Sequence, residues 1–227
     1  MGMPLNVLVF GATGMVGQGV LRECLLDPDV ALVQTVGRTA TGVTHPGISE
    51  IVHADLTSYA PIEPRLVGFD ACFFCLGVSS AGMSEADYER VTYGITMAAA
   101  TTLARLNKSM TFIYVSGAGT DSSERGRIMW ARVKGRTENA LLRLPFKAAY
   151  MFRPGVIQPL HGITSKTAAY RILYSITEPL LPLLRRLLPG LILTTEQIGR
   201  AMLTVARQGA PKRVLESRDI SALAPMN

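Results

Sequence analysis

Three glycines near the start of the sequence have the spacing of a phosphate-binding turn. Gly11, Gly14 and Gly17 follow an apolar run at residues 5–10 and precede an amphipathic stretch at residues 15–26. A glycine turn between a buried strand and a helix presents backbone N–H groups and the positive helix end to a phosphate. We therefore predict that a dinucleotide binds at the turn. The residues of this turn are Gly11, Thr13, Gly14, Met15, Val16 and Gly17.

The second predicted strand, residues 30–36, ends in the tripeptide Gly37-Arg38-Thr39. In sites selective for NAD, an acidic residue at this position binds the ribose hydroxyls. Arg38 stands there instead, and a guanidinium can make a bidentate contact with the 2′-phosphate of NADP. The sequence therefore favours NADP over NAD, and a surface arginine without a ligand is the alternative.

Ser116 and Lys134 are the candidate polar residues at the other end of such a site. Ser116 follows a predicted strand at residues 110–115, and the carboxyl ends of parallel strands border the nucleotide. Trp130 and Lys134 lie four residues apart in a predicted helix at residues 126–144, so they share a helix face.

Strands and helices alternate as far as residue 155. Further strands are predicted at residues 50–54, 70–76 and 147–152, and a capping box at Ser84 opens a long helix that ends near Leu106. This alternation predicts an α/β fold with a Rossmann-type, doubly wound parallel sheet. We expect an NADP-binding core at residues 1–155 and a small, mostly helical region at residues 156–227 that packs on it and covers the substrate.

The Leu-rich stretch at residues 170–188 is broken by Pro179, Pro182 and two arginines, so it is not an integral membrane segment. It predicts two short amphipathic helices, which would cover a pocket, form a subunit interface or lie on a membrane surface. A cap at residues 194–197 predicts one more helix, to about Gln208.

Composition narrows the classes of protein. Of the 227 residues, 48% are hydrophobic and 18% are charged, as in a globular domain. The net charge of +6 comes from basic residues spread over several helices, which argues against nucleic acid as a partner. The first strand begins at Leu5 and leaves no room for a signal peptide, so we expect a cytoplasmic protein.

The cysteines and histidines give no sign of redox or metal chemistry. Cys72 and Cys75 lie in a predicted strand, where residues three apart point to opposite faces about 10 Å from each other, too far for a disulfide. Cys24 belongs to the first helix. The three histidines lack ligand spacing, so we expect no metal.

These motifs together resemble the short-chain dehydrogenase/reductase superfamily. The sequence is most similar to its atypical branch, which includes the Tat-interacting-protein oxidoreductases and the nucleoside-diphosphate-sugar epimerases. The motifs that carry the resemblance are the three glycines, Gly37-Arg38, Asp55-Leu56, Cys75-Leu76-Gly77, Val115-Ser116 and Arg153-Pro154-Gly155.

The resemblance implies a role for each matching residue. Ser116 would hold the substrate oxygen, and Lys134 would bind the nicotinamide ribose. The cofactor-binding residues would be Gly11, Thr13, Gly14, Met15, Val16, Gly17, Arg38, Asp55, Leu56, Leu76, Gly77, Lys134 and Pro154. A homodimer is a further expectation from the family.

The sequence departs from the family at the proton donor, a tyrosine four residues before the lysine. Trp130 stands there, and an indole N–H donates a hydrogen bond but does not usefully ionise. Tyr93, Tyr114, Tyr170 and Tyr174 are candidate substitutes. Thr92 stands where many relatives carry an asparagine.

Three functions follow from these patterns. The first is an NADP-dependent oxidoreductase or epimerase that acts on a small or hydrophobic carbonyl or alcohol with an altered acid/base relay. The second is a non-catalytic protein that senses NADP or serves as a scaffold. The third is peripheral membrane association through residues 170–188.

Overall fold

The first strand of the chain lies in the middle of a parallel sheet. The structure is a computed structural model that describes residues 4–163 and 190–225. Within these ranges, seven strands form one sheet and two short strands form a separate pair.

The described elements have the following bounds. The strands are β1 (Leu5–Phe10), β2 (Val30–Gly37), β3 (Ile48–Val52), β4 (Ala71–Phe74), β5 (Thr111–Val115), β6 (Ala148–Arg153), β7 (Val156–Gln158), β8 (Ile192–Thr194) and β9 (Val214–Glu216). The α-helices are α1 (Met15–Leu26), α2 (Glu85–Glu89), α3 (Ile95–Leu106), α4 (Met129–Leu142), α5 (Thr195–Gln208) and α6 (Ser217–Leu223). A 3₁₀ helix spans Ala60–Arg65, and a π-helical turn at Arg90–Gly94 joins α2 to α3.

The strand order confirms the predicted Rossmann-type α/β fold. The order is β3-β2-β1-β4-β5-β6-β9, and every described pairing in the sheet is parallel. The chain leaves β1 toward one edge, returns, and continues from β4 toward the other edge. This reversal forms a crevice at the carboxyl ends of β1 and β4, where ligands bind in open α/β sheets.

The two faces of the sheet bury different side chains. Val7 and Val9 of β1 pack with α1, α5 and α6, whereas Leu8 and Phe10 pack with α3 and the 3₁₀ helix. This alternation is the period of two of an extended strand. Both faces are covered, so the four buried residues of β1, Val7 to Phe10, are all apolar.

The predicted strands and helices that fall within the described ranges exist, but several have different bounds. The third strand occupies residues 48–52 rather than 50–54, in register with β2. The helix predicted at residues 126–144 begins only at Met129, because Asp121 accepts hydrogen bonds from the backbone N–H groups of Ser123, Arg125 and Gly126 and holds that segment as a loop.

Three strands that were not predicted lie after residue 155 within the described ranges. β7, β8 and β9 are three residues long, too short to show an alternating pattern, and β9 is the last strand of the main sheet. The helix predicted after the cap at Thr194 is α5, which ends at Gln208 and has the full capping box. The boundary at residue 155 stays a prediction.

Two close helix contacts depend on glycine. α5 packs on α1 where a Cβ on Gly19 would lie 2.5 Å from the Thr195 side chain. A Cβ on Gly135 of α4 would lie 1.8 Å from the carbonyl oxygen of Asp121. The second contact seats the loop at residues 117–126 on α4.

None of the helices in the described ranges is long and apolar enough to cross a membrane. The Leu-rich stretch at residues 170–188, with Tyr170 and Tyr174, lies outside these ranges.

We predict opposite effects for two helical glycine-to-alanine substitutions. Gly135→Ala forces the Asp121 loop away from α4 and should lower the free energy of unfolding by about 1–3 kcal/mol or more. Gly94→Ala has open space around the new methyl group, so it should raise stability by about 0.5–1 kcal/mol. Urea unfolding of both variants tests this, and a shift of both in one direction would contradict it.

Candidate functional site

The glycine turn after β1 is built from backbone contacts that exclude side chains. Gly11 has φ +78°, and a Cβ there would lie 2.8 Å from the backbone after β4. A Cβ on Gly17 would lie 2.1 Å from the carbonyl oxygen of Gly11, so α1 starts directly against the turn. Glycine is therefore required at both positions, at Gly11 for the turn and at Gly17 for the close approach of α1.

The start of α1 offers N–H groups to an anion. Its N-cap is Gly14, which has no side chain to accept a hydrogen bond from the first turn, and the first turn holds no acidic residue. The residue before this N-cap is Thr13, and the first two residues of the helix are Met15 and Val16. The first N–H groups of a helix need an acceptor, and a phosphate is a suitable one.

A cavity of about 350 Å³ extends from this turn to the loop after β2. Five of the predicted residues line it, namely Gly11, Thr13, Arg38, Leu56 and Leu76. The sequence analysis missed Ala12, Thr35, Val36, Thr39 and Thr41, which line it as well. Thr39 and Thr41 follow Arg38 in the loop at the end of β2. Their closeness to Arg38 in the sequence could have indicated that they line the same cavity.

The charge of this cavity is set by Arg38. Its side chain is exposed, and no described residue forms a hydrogen bond or ion pair with it. None of the described lining residues is acidic. Thr41 is held in place because its backbone N–H donates to Glu50 Oε1 at 2.9 Å, as does its hydroxyl.

Asp55 and Gly77 do not line this cavity. Asp55 is exposed and accepts hydrogen bonds from the backbone N–H and hydroxyl of Thr57, which lower its pKa. Gly77 has open space around the position of a Cβ. Their predicted contacts with a cofactor stay predictions.

Lys134, Gly117 and Pro154 lie together at the other end of the crevice. The ammonium of Lys134 donates to the carbonyl oxygen of Ser116. A Cβ on Gly117 would lie 4.0 Å from Lys134 Nζ and 4.0 Å from the carbonyl oxygen of Pro154. That carbonyl accepts a hydrogen bond from Ala118 N–H at 2.9 Å, so the ends of β5 and β6 are tied together.

The Ser116 side chain points into a buried ionic cluster. Its hydroxyl donates to the carboxylate of Glu138, which is fully buried. Arg153 pairs with the same carboxylate, with Nε 3.0 and 3.2 Å from its two oxygens, and also donates to Ser122. Arg153 contacts Glu216 of β9 at 3.2 Å. The hydrogen bond from Arg153 to Glu138 raises the pKa of the arginine.

No pattern in the sequence indicates that Glu138 belongs to the site. It stands one helical turn after Lys134, a spacing common to any surface helix. Only the structure places it between Ser116 and Arg153. The role of Ser116 toward a substrate oxygen stays a prediction, because its hydroxyl proton is engaged by Glu138.

Trp130 lies half-buried on the same helix face as Lys134. A Cβ on Gly119 would lie 3.5 Å from its six-membered ring. No described residue accepts a hydrogen bond from its indole N–H.

Two candidate replacements for the missing phenol fall within the described ranges. Tyr114 is 1% exposed in the core beneath α3, and burial raises the pKa of its phenol. Tyr93 is half-buried in the π-helical turn, next to Thr92. Such turns are frequent at functional sites.

The cysteines are free thiols, and burial raises the pKa of each. Cys72 and Cys75 pack on opposite sides of the sheet. In the described ranges, no group of three or more histidine, cysteine, aspartate or glutamate side chains could hold a metal ion.

The fold is that of the short-chain dehydrogenase/reductases. The WbmF enzyme of Bordetella bronchiseptica, solved with NAD⁺, aligns with a TM-score of 0.70 over 97% of this chain and 77% of its own, at 15% identity. ADP-L-glycero-D-manno-heptose-6-epimerase of Helicobacter pylori aligns with the same score, over 97% and 81%, at 15% identity. A short-chain dehydrogenase/reductase of Saccharomyces cerevisiae, YIR035C, gives 0.66 at 16% identity, over 97% and 100%.

Sequence relatives narrow this class to one family. FMP52-1, a protein of Scheffersomyces stipitis named mitochondrial, is 30% identical over 157 residues, or 67% of each chain. FMP52 of Candida albicans is 22% identical over 172 residues, which are 72% of this chain and 74% of the relative. The chain belongs to the FMP52 family, which is related to the short-chain dehydrogenase/reductases. No protein-family model matches the chain.

The relatives overturn one prediction. They are named mitochondrial proteins, so the expectation of a cytoplasmic location is wrong. That expectation rested on the start of the first strand at Leu5, which carries no information on targeting to this organelle.

We predict that Lys134 makes stability depend on alkaline pH. Burial lowers its pKa from 10.5 to about 8, although the carboxylate of Glu138 opposes the shift. Between pH 8 and 10.5, Lys134 is mostly neutral in the folded protein and mostly protonated in the unfolded chain. The free-energy cost of burying its charge is therefore lost as pH rises through this range. The free energy of unfolding should therefore rise by about 3 kcal/mol relative to Lys134→Met.

The measurement is urea unfolding at steps of pH from 7 to 10.5. Lys108→Met, at an exposed lysine, is the matched control. Equal pH dependence of the unaltered protein and Lys134→Met would contradict the prediction.

Proposed function

We propose that the protein is an NADP-dependent oxidoreductase that acts on a small or moderately hydrophobic carbonyl or alcohol. The observation that carries this proposal is the cavity between the glycine turn and Arg38, whose guanidinium has no partner among the described residues. Its volume of about 350 Å³ is within the range of small-molecule sites.

The residues present fit a dinucleotide. The N–H groups at the start of α1 would hold the pyrophosphate, Leu56 would flank the adenine, and Leu76 would lie by the adenosine ribose. Lys134 would bind the nicotinamide ribose, with Pro154 behind the ring. When bound, this cofactor supplies or accepts a hydride at the end of the crevice where Lys134 lies.

The preference for NADP rests on Arg38 with Thr39 and Thr41. A phosphate on the ribose would receive the charge-assisted, bidentate contact that guanidinium makes well. The loop is fixed by Glu50 through Thr41, so little ordering is required on binding. Two proteins of the same fold, WbmF and WbmG, were solved in complex with NAD. This supports a nicotinamide dinucleotide as the cofactor of this protein, without distinguishing NADP from NAD.

Trp130 favours a second candidate function, a non-catalytic protein that binds NADP as a sensor or scaffold. An indole does not exchange a proton near neutral pH, so the family's usual relay lacks its central member. An epimerase remains a variant of the first proposal, because one structural neighbour is an epimerase of a nucleotide sugar. A homodimer stays a prediction.

Turnover separates the two functions. Purified protein with NADPH and a panel of small aldehydes and ketones should oxidise NADPH if the first proposal is right. NADPH that binds without turnover on any member of the panel would instead favour the sensor. Trp130 is the only tryptophan, so quenching of its fluorescence reports binding in either case.

We predict that Arg38→Ala lowers affinity for NADPH about 10- to 100-fold and leaves affinity for NADH within about threefold, because a hydrogen bond to a charged group contributes about 1.5–3 kcal/mol. Calorimetric titration of both nucleotides measures this. Arg105→Ala is the matched control, since Arg105 pairs with Glu63 at the end of α3, away from the cavity. An equal loss for NADPH and NADH would overturn the preference for NADP.

A further inference from the structure

The amine of Lys134 faces a gap in the wall of the crevice. Gly117 has φ +152°, a backbone conformation that favours glycine. The nearest atoms to its absent Cβ are Lys134 Nζ and the carbonyl oxygen of Pro154, both at 4.0 Å. Gly117 and Lys134 are both half-buried, so solvent reaches them. No side chain at position 117 therefore stands between the amine and the crevice.

The ammonium of Lys134 has hydrogen-bond donors that are not used by the described residues. It carries three N–H groups, and Ser116 O is the one acceptor for it among the described residues. The remaining N–H groups are free for an oxygen of a ligand in the gap.

Two of the candidate hydroxyl donors in the described ranges are turned away from this gap. The hydroxyl of Ser116 is turned to Glu138, and that of Tyr114 lies in the core. The indole of Trp130 can donate a hydrogen bond but cannot give up its proton near neutral pH.

We propose that Lys134 is itself the proton donor and acceptor of the reaction, and this inference rests on the proposed function. The reduced cofactor, when bound, would supply a hydride to the carbonyl carbon, and an electron pair of the C=O bond would move to the oxygen. That oxygen takes a proton from Lys134 Nζ, so that an O–H bond forms and an N–H bond breaks. Water returns a proton to the neutral amine, and oxidation of an alcohol follows the reverse order.

The surroundings of the amine suit this role. Burial brings the pKa of Lys134 to about 8, and a proton donor works best when its pKa lies near the working pH. The charged group that acts on the amine is Glu138 on its own helix. Glu138 is itself paired with Arg153 of β6, which also contacts Glu216 of β9. Glu138 acts as a positioning residue that favours the protonated amine.

An NMR titration tests the amine without any substrate. The chain has five lysines, and ¹³C-labelled lysine gives a methylene signal for each. We expect one signal to titrate near pH 8 and to be missing from Lys134→Arg. Glu138→Gln should move its midpoint to lower pH, whereas Glu89→Gln, at an exposed ion pair with Arg136, should leave it unchanged. A Lys134 signal that titrates above pH 10 would overturn the inference.

Kinetics then test the proton transfer. Lys134→Arg keeps a positive charge but does not release a proton near neutral pH. It should lower kcat for carbonyl reduction at saturating NADPH about 10²- to 10⁴-fold, and calorimetry gives the NADPH concentration that saturates the variant. In the unaltered protein, kcat for reduction should fall above pH 8 as the ammonium loses its proton.

Two other results have distinct meanings. If Trp130→Phe abolishes turnover and Lys134→Arg retains it, Lys134 is not the proton donor and the inference is wrong. If the unaltered protein binds no NADPH, the proposed function fails. The NMR titration still shows whether the amine of Lys134 titrates near pH 8, as the inference requires.

Discussion

A fully buried carboxylate beneath the crevice constrains the elements around it. Glu138 has no contact with solvent, and a charge in this position is stable only if partners satisfy it. Arg153 and Ser116 supply these partners from the ends of two strands. The ends of β5 and β6 and the middle of α4 are therefore fixed relative to one another. Lys134, one helical turn before Glu138, is held at the crevice by the same constraint.

Much of the fold follows from the sequence because local patterns and burial agree. The apolar run at residues 5–10 is the central strand, and the glycine spacing matches contacts that leave no room for a Cβ at Gly11 or Gly17. The three-residue strands were missed because so short a stretch has no recognisable period. The start of α4 was predicted three residues early, since the capping of the preceding loop by Asp121 depends on side-chain geometry.

Part of the candidate site could likewise be predicted from the sequence, and part could not. Arg38 at the end of β2 follows from position alone, and the structure adds Thr39 and Thr41 beside it. The direction of the Ser116 hydroxyl does not follow from the place of Ser116 after β5, because in such a turn either Ser116 or Gly117 could face Lys134. A buried acid 22 residues further along the chain decides between them. No local pattern in the sequence records such a contact.

The last strand of the sheet links the site to the end of the chain. β9 pairs with β6, Glu216 contacts Arg153, and the Ser217 hydroxyl accepts a hydrogen bond from Gly155 N–H at 2.8 Å. The residues that line the nucleotide cavity all precede β5, whereas the half around Lys134 takes support from β9. The face of β1 that bears Val7 and Val9 is covered by α5, so the first half also depends on a late segment. During synthesis on the ribosome, neither half can therefore be fully packed until α5 and β9 have emerged.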